Sequence, residues 1–320
     1  MDYLRIIEDG AVLISEGKIV ETGMSRRFGN LAAAKGAEEI AAYGKVVMPG
    51  FIDCSVSLLS GPPAYETASN RLPVRGWPPR RMELETRRRL RWFARGGTTY
   101  AGAGCGHGRD EATELKALKV LRGLDERLIG IEPVLHAFER GPEFESDREY
   151  AEWLAGTLIP AVRERRLARS IECAPWPGVE QAAAASGLRV RIRSSGRVRA
   201  GPVDVLLPDA EARPDEDGAL ALSTGFDACS SPFTNMQAAL WNARVRLGFS
   251  PEECLTASTI NAAHVLGIEK RTGSLEPGKD ADIVMLQTGD YRDLSWYVGS
   301  SLVAMVFAKG LEVFPRLEAL

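Results

Sequence analysis

The sequence predicts an α/β protein: a (β/α)8 TIM-like barrel, incomplete or distorted on one side, plus a small β-sandwich domain made from both termini. Three observations predict it. Both ends of the chain read as short strands joined by turns. The middle alternates apolar, strand-like runs with helical patterns, as parallel βαβ units do. One stretch, 194–219, has no room for the crossover helix that this alternation requires. At 320 residues the chain is long enough for one large barrel with an appendage.

The opening segment runs Ala11-Val12-Leu13-Ile14, turns at Glu16-Gly17-Lys18 and resumes with Ile19-Val20, a hairpin pattern. Strand candidates follow at 46–53, 98–103, 129–136, 170–173, 188–193, 203–207 and 220–224. Helical patterns at 83–95, 112–124, 147–166 and 179–186 separate the first five. After the last come helical stretches at 235–247, 252–257 and 261–266, the second announced by the capping sequence Ser250-Pro251-Glu252-Glu253. Apolar runs at 282–286 and 303–307, the turn Lys309-Gly310 and a last strand at 311–314 close the chain. The expected partition is 1–45 with 273–320 for the small β domain and 46–272 for the barrel.

The gap at 194–219 is punctuated by Pro202, Pro208 and Pro214 and holds a single apolar run. Seven strand candidates stand where a closed barrel needs eight. The barrel is therefore expected to be open or distorted between 188–193, 203–207 and 220–224. Uncovered parallel strands are unfavourable. The alternation Arg189-Val190-Arg191-Ile192-Arg193 suggests arginines toward solvent and apolar residues inward, or else a partner surface over this side, so a homo- or hetero-oligomer is expected.

Composition narrows the function classes. Hydrophobic residues make up 45% and charged residues 26%, and a formal charge of −3 gives no electrostatic case for nucleic acid or an anionic membrane. The first ten residues carry acids, unlike a signal peptide, and no run approaches the ~20 apolar residues of a membrane helix. Five cysteines at irregular spacing suggest a reducing, cytoplasmic setting.

Three stretches together resemble the amidohydrolase superfamily, most closely its imidazolonepropionase branch. They are 46-VVMPGFIDC-54, 223-STGFDACSSPFTNMQAALWNA-243 with 250-SPEECLTASTINAAHVLGI-268, and 273-GSLEPGKDADIVML-286. The helix start 113-TELKALKVLRGL-124 and the strand end 135-LHAF-138 match as well. The resemblance implies a hydrolase of C–N bonds in cyclic amides, the imidazolone ring of histidine breakdown for that branch. A Zn²⁺ or Fe²⁺ ion would lower the pKa of a bound water, and an Asp at the end of the last barrel strand would take its proton.

The same resemblance implies ligands that this chain does not have. Where the family carries Asp-x-His-x-His, the run is Asp53, Cys54, Ser55, Val56, Ser57. The mid-barrel His is Arg193, 194–219 contains no His, and the catalytic Asp is Gly225. Substrate-handling positions differ too: Pro62 and Pro63 stand where a basic residue is expected, and His107 stands for a tyrosine between Gly106 and Gly108. No resident metal cofactor is therefore expected.

The remaining candidates carry competing readings. His136 ends a barrel strand on the face where such barrels place their sites, facing either a ligand or the core. His107 reads as a solvent-facing loop residue, and His264 as a packing residue on a late helix. Cys54, Cys105, Cys173 and Cys229 fall at strand ends, either as a thiol or soft-metal site or as small buried hydrophobes. Asp227 could stand in for the missing acid. The segment 273–279 lacks the spacing of a phosphate loop and reads as a turn. The expected function is a binding or partner subunit with a small-molecule ligand at the barrel mouth, the alternative being an active C–N hydrolase with an altered site.

Overall fold

The computed structural model describes residues 4–60, 74–105, 110–124, 128–213, 218–228 and 230–315. Strands β1 (Gly10–Ser15) and β2 (Lys18–Met24) form an antiparallel hairpin, followed by the short helix α1 (Ser25–Phe28). The apolar run expected as one strand at 46–53 divides at Gly50. β3 (Val47–Pro49) joins an antiparallel sheet from the other end of the chain, and β4 (Phe51–Ser57) opens the barrel. The division is set by hydrogen bonding, because Gly50 N–H donates to Asp282 O and Phe51 N–H donates to Gly97 O, one partner in each sheet.

The barrel then alternates α2 (Pro79–Arg95), β5 (Thr98–Gly104), α3 (Glu111–Gly123) and β6 (Gly130–Ala137). The expected helix 147–166 is α4 (Asp147–Trp153) and α5 (Ile159–Glu164) joined by a wider π turn (Leu154–Leu158). Pro160, which has no N–H to donate, lies just beyond that turn. β7 (Ser170–Cys173), α6 (Val179–Ala185) and β8 (Arg189–Ser194) complete the regular units.

The anomaly lies where it was expected, with a correction to its position. No helix follows β8. A tight turn leads into β9 (Arg197–Arg199), which runs antiparallel to both β8 and β10 (Val203–Leu206). β10 pairs in parallel with β11 (Ala219–Leu222), Val203 opposite Ala219, so the sheet is not open there as expected. The distortion sits between β8 and β10, where a short reversed strand replaces a crossover, since antiparallel neighbours need only a turn. Among the described residues the sheet has eight strands in the order β11-β10-β9-β8-β7-β6-β5-β4, and only β9 is reversed.

Helices α7 (Met236–Leu247), α8 (Pro251–Ala257) and α9 (Ile260–Leu266) follow. Ser250 and Glu253 form the expected capping box at α8. α9 packs Ala262, Ala263 and Leu266 against Ile52, Val205 and Ala221 of the barrel strands. His264, expected to pack, instead stands half exposed, 3.9 Å from Glu269, because its neighbours Ala263 and Val265 take the buried face. β12 (Ile283–Leu286), β13 (Val303–Ala308) and β14 (Leu311–Phe314) finish the antiparallel sheet with β3. The β1–β2 hairpin joins this end of the molecule through Ile19, which is buried against Ala281, Ile283 and Phe307. No helix among the described residues is long and apolar enough to cross a membrane.

Candidate functional site

The inward faces of β4, β6, β7 and β8 converge near the C-terminal ends of the strands, the end where barrel enzymes place their chemistry. Alternate residues of a strand share a face. On β8 those are Arg189, Arg191 and Arg193, and all three turn into the barrel, opposite to the expected orientation. Arg189 donates to Leu266 O, Arg191 donates to Cys54 O at 2.7 Å, and Arg193 lies 3.6 Å from Glu172. Val190 and Ile192 take the outer face, against the cluster beneath α5 and α6. The inward choice prevails because the barrel interior holds carboxylates and carbonyls that satisfy the guanidiniums, while the outer face is covered by apolar helix surface.

Glu172 on β7 is the centre of this network. It is fully buried, accepts a 2.6 Å hydrogen bond from Ser55 Oγ and faces Arg191 Nη2 at 3.3 Å. Burial alone would raise its pKa, but Arg191, His136, Arg193 and the Ser55 hydroxyl outweigh it and hold the carboxyl below its ordinary value. Arg193 is the outermost member, 28% exposed, with its guanidinium 4.7 Å from the centroid of the Phe138 ring.

His136 on β6 is fully buried, its Nδ1 3.4 Å from Ser57 Oγ and its ring 4.7 Å from that of Phe138. The imidazole lies flat against β5 because position 104 is glycine; a Cβ there would come within 2.4 Å of the ring. Burial, with Arg191 and Arg193 nearby, lowers its pKa to about 3 against the pull of Glu172 and Asp227. The sign follows. Between pH ~6.5 and ~3 the unfolded chain binds a proton that the folded one does not, so stability falls with acid by about 1.4 kcal/mol per pH unit. A His136→Asn variant is expected to lose that slope relative to the parent in chemical unfolding at pH 4, 5 and 7; parallel slopes would contradict it.

Asp53, Ser55 and Ser57 sit on the inner face of β4. Asp53 accepts hydrogen bonds from Ser223 Oγ, from Thr224 Oγ1 and, at 3.0 Å, from Thr224 N–H. Burial raises its pKa to about 6 against these donors. Asp227 bridges to Ser57 and receives Ser230 N–H at 3.2 Å, just beyond Gly225. Cys54, Cys105 and Cys173 are all buried, and burial pushes Cys54 up and Cys173 up to about 12, so both stay thiols. His107, Cys229, Pro62, Pro63 and Pro214 lie outside the described residues.

Sequence reasoning brought His136, Ser55, Ser57 and Arg193 to one place and missed Glu172 and Arg191. The available signal was a lone acid within the buried run Ser170-Ile171-Glu172-Cys173, beside a strand carrying three arginines on one face. A charge in a buried strand calls for an opposite one next to it.

The comparisons with known proteins agree in direction. A family model described as the amidohydrolase family matches residues 204–313. An imidazolonepropionase of Solibacter usitatus is 31% identical over 394 aligned residues, covering 99% of this chain and 93% of that protein. One of Geobacillus kaustophilus is 28% identical, covering 97% and 91%. The first alignment is longer than this 320-residue chain, so segments of the relative have no counterpart here. Among solved structures, Escherichia coli guanine deaminase superposes with a TM-score of 0.62 at 15% identity, covering 97% of this chain and 93% of that one. A triazine hydrolase variant gives 0.63 at 15% identity, covering 95% and 90%. These structures carry the fold.

Proposed function

Because the chain belongs to the imidazolonepropionase-like amidohydrolases, we propose that its barrel takes a small cyclic amide and that hydrolysis of a C–N bond is its chemistry. The observation that carries this is kinship along nearly the full chain to proteins named imidazolonepropionases, at 28% and 31% identity.

The second part of the proposal is that this centre works without a resident divalent ion. An open hydrolytic Zn²⁺ or Fe²⁺ site takes imidazole and carboxylate ligands. Here the Glu172 carboxylate is held by Ser55 and two guanidiniums, and Asp53 is held by Ser223 and Thr224. Ser55 and Ser57 offer neutral hydroxyls, and Arg191 and Arg193 place fixed positive charge where a cation would have to enter. This donor set does not fit a divalent cation, so no step is routed through one. The same donor set favours a second reading, a binding or partner role in which the ligand is held and not cleaved.

One experiment separates the readings. The purified protein is assayed on imidazolone propionate with and without chelator, alongside elemental analysis. Metal far below stoichiometric and turnover indifferent to chelation are expected. Stoichiometric zinc or iron, or activity abolished by chelation and restored by metal, would overturn the metal-free proposal. Ligand binding without turnover would move the conclusion to the second reading.

A further inference from the structure

His136, Glu172 and Arg191 stand in one row across three strands. In the parallel ladders His136 pairs with Glu172, and Glu172 with Arg191, so the three side chains share the inner face at one level. All are essentially excluded from solvent. Each keeps a polar atom without a hydrogen-bond partner: His136 Nε2, Glu172 Oε2, and both Nε and Nη2 of Arg191. The Glu172–Arg191 contact at 3.3 Å is an ion pair without hydrogen-bond geometry, so charge is balanced while the bonds are left unmade. Ser170 Oγ, two residues before Glu172 on the same face, is unpartnered as well.

Buried polar atoms are ordinarily paired, and several left open in one row mark a place built for an occupant. The charges select its class. A cation placed there would meet Arg191 and Arg193. An oxyanion would meet the free oxygen of Glu172. A neutral group presenting a donor beside an acceptor satisfies both ends.

We infer that this row reads a neutral –CO–NH– unit, whose N–H donates to Glu172 Oε2 and whose carbonyl oxygen accepts from Arg191. With the Ser57 hydroxyl donating to Nδ1, His136 carries its proton on Nε2 and gives the carbonyl a second donor. Arg193, partly exposed and 3.6 Å from Glu172, marks the side of the row nearest solvent. The inference rests on the cyclic-amide reading of the barrel and adds which residues of this chain select the ligand, and that they select a neutral group.

The test is calorimetric titration of the unaltered protein with 2-imidazolidinone, its N,N′-dimethyl derivative, acetate and inorganic phosphate. The unmethylated cyclic urea is expected to bind, and the dimethyl derivative, which has no N–H for Glu172, to bind roughly ten- to a hundredfold more weakly. Acetate and phosphate are expected not to bind. Glu172→Gln is expected to narrow the gap between the two ureas; if that variant does not fold, the probe pair on the unaltered protein still decides. Equal affinity for both ureas, tighter binding of acetate or phosphate, or no binding of either urea would overturn the inference, the last leaving a row filled by water alone. Binding of the unmethylated urea without turnover of imidazolone propionate sinks the hydrolysis reading and keeps the row. Turnover with no preference between the ureas does the reverse.

Discussion

Replacing Glu172 by leucine is expected to destabilise the protein by about 3–5 kcal/mol, because it strands a guanidinium in the barrel interior. Arg191 is 1% exposed and its carboxylate partner is fully buried, so solvent cannot take over the lost interaction. Arg191→Met is expected to cost a similar amount, since Glu172 would keep only Ser55 and the more distant Arg193. The informative variant is the double one. Glu172→Leu with Arg191→Met removes both charges and leaves apolar side chains of comparable volume, and Arg193 can turn outward. Much of the loss should return, which urea unfolding of the four proteins would show as strong non-additivity. Two single losses that simply add would mean that the pair does not act as a unit.

The second large effect is expected at Glu114, in the first turn of α3. Burial pushes this carboxyl up to about 8; Asp110 adds to the shift and the adjacent Cys105 thiol opposes it. The folded protein therefore holds a proton at neutral pH that the unfolded chain has released, and stability falls as pH rises from ~4.5 to ~8. At about 1.4 kcal/mol per pH unit, the penalty reaches roughly 3 kcal/mol by pH 7. Glu114→Gln keeps the shape without the ionisation. Any cost of burying its amide N–H groups is the same at every pH. The variant should thus gain roughly 4 kcal/mol on the parent between pH 4 and pH 8, read from unfolding at both. A constant difference across that range would show that Glu114 is ionised in the fold.

Much of the fold was legible because its signals are local. The seven parallel strands, the capping box at Ser250 and the helices between units all follow from periodicity and turn chemistry that neighbouring residues carry themselves. β9 also carries a local signal. Ser195 and Gly196 both adopt positive φ in a tight turn, and Ser-Gly between Arg193 and Arg197 is a hairpin mark. The orientation of β8 was beyond local reasoning. Alternation shows that Arg189, Arg191 and Arg193 share a face and does not say which, since that depends on Glu172 from another strand and on the carbonyl of Cys54 across the barrel. The positions Ser55, Ser57, Arg193 and Gly225 were legible only through resemblance. The buried carboxylate of Glu172 gripped by arginines shows only once the strands are side by side.

A fully closed barrel has no edges, and among the described residues this one retains two, at β11 and β4. Among the described residues no ladder joins β11 to β4; the gap is bridged by Asp53 holding Ser223 and Thr224, by Ser55 N–H on Ser223 Oγ at 3.1 Å and by Ser57 N–H on Phe226 O at 2.6 Å. Exposed strand edges invite a foreign strand and, from there, aggregation. Here a hydroxyl and a loop carbonyl occupy amides on β4 that an intruding strand would need. The Ser223 hydroxyl and the Phe226 carbonyl, by holding the main-chain amides of Ser55 and Ser57, are thus the guard that keeps an unfinished ring from adding to itself.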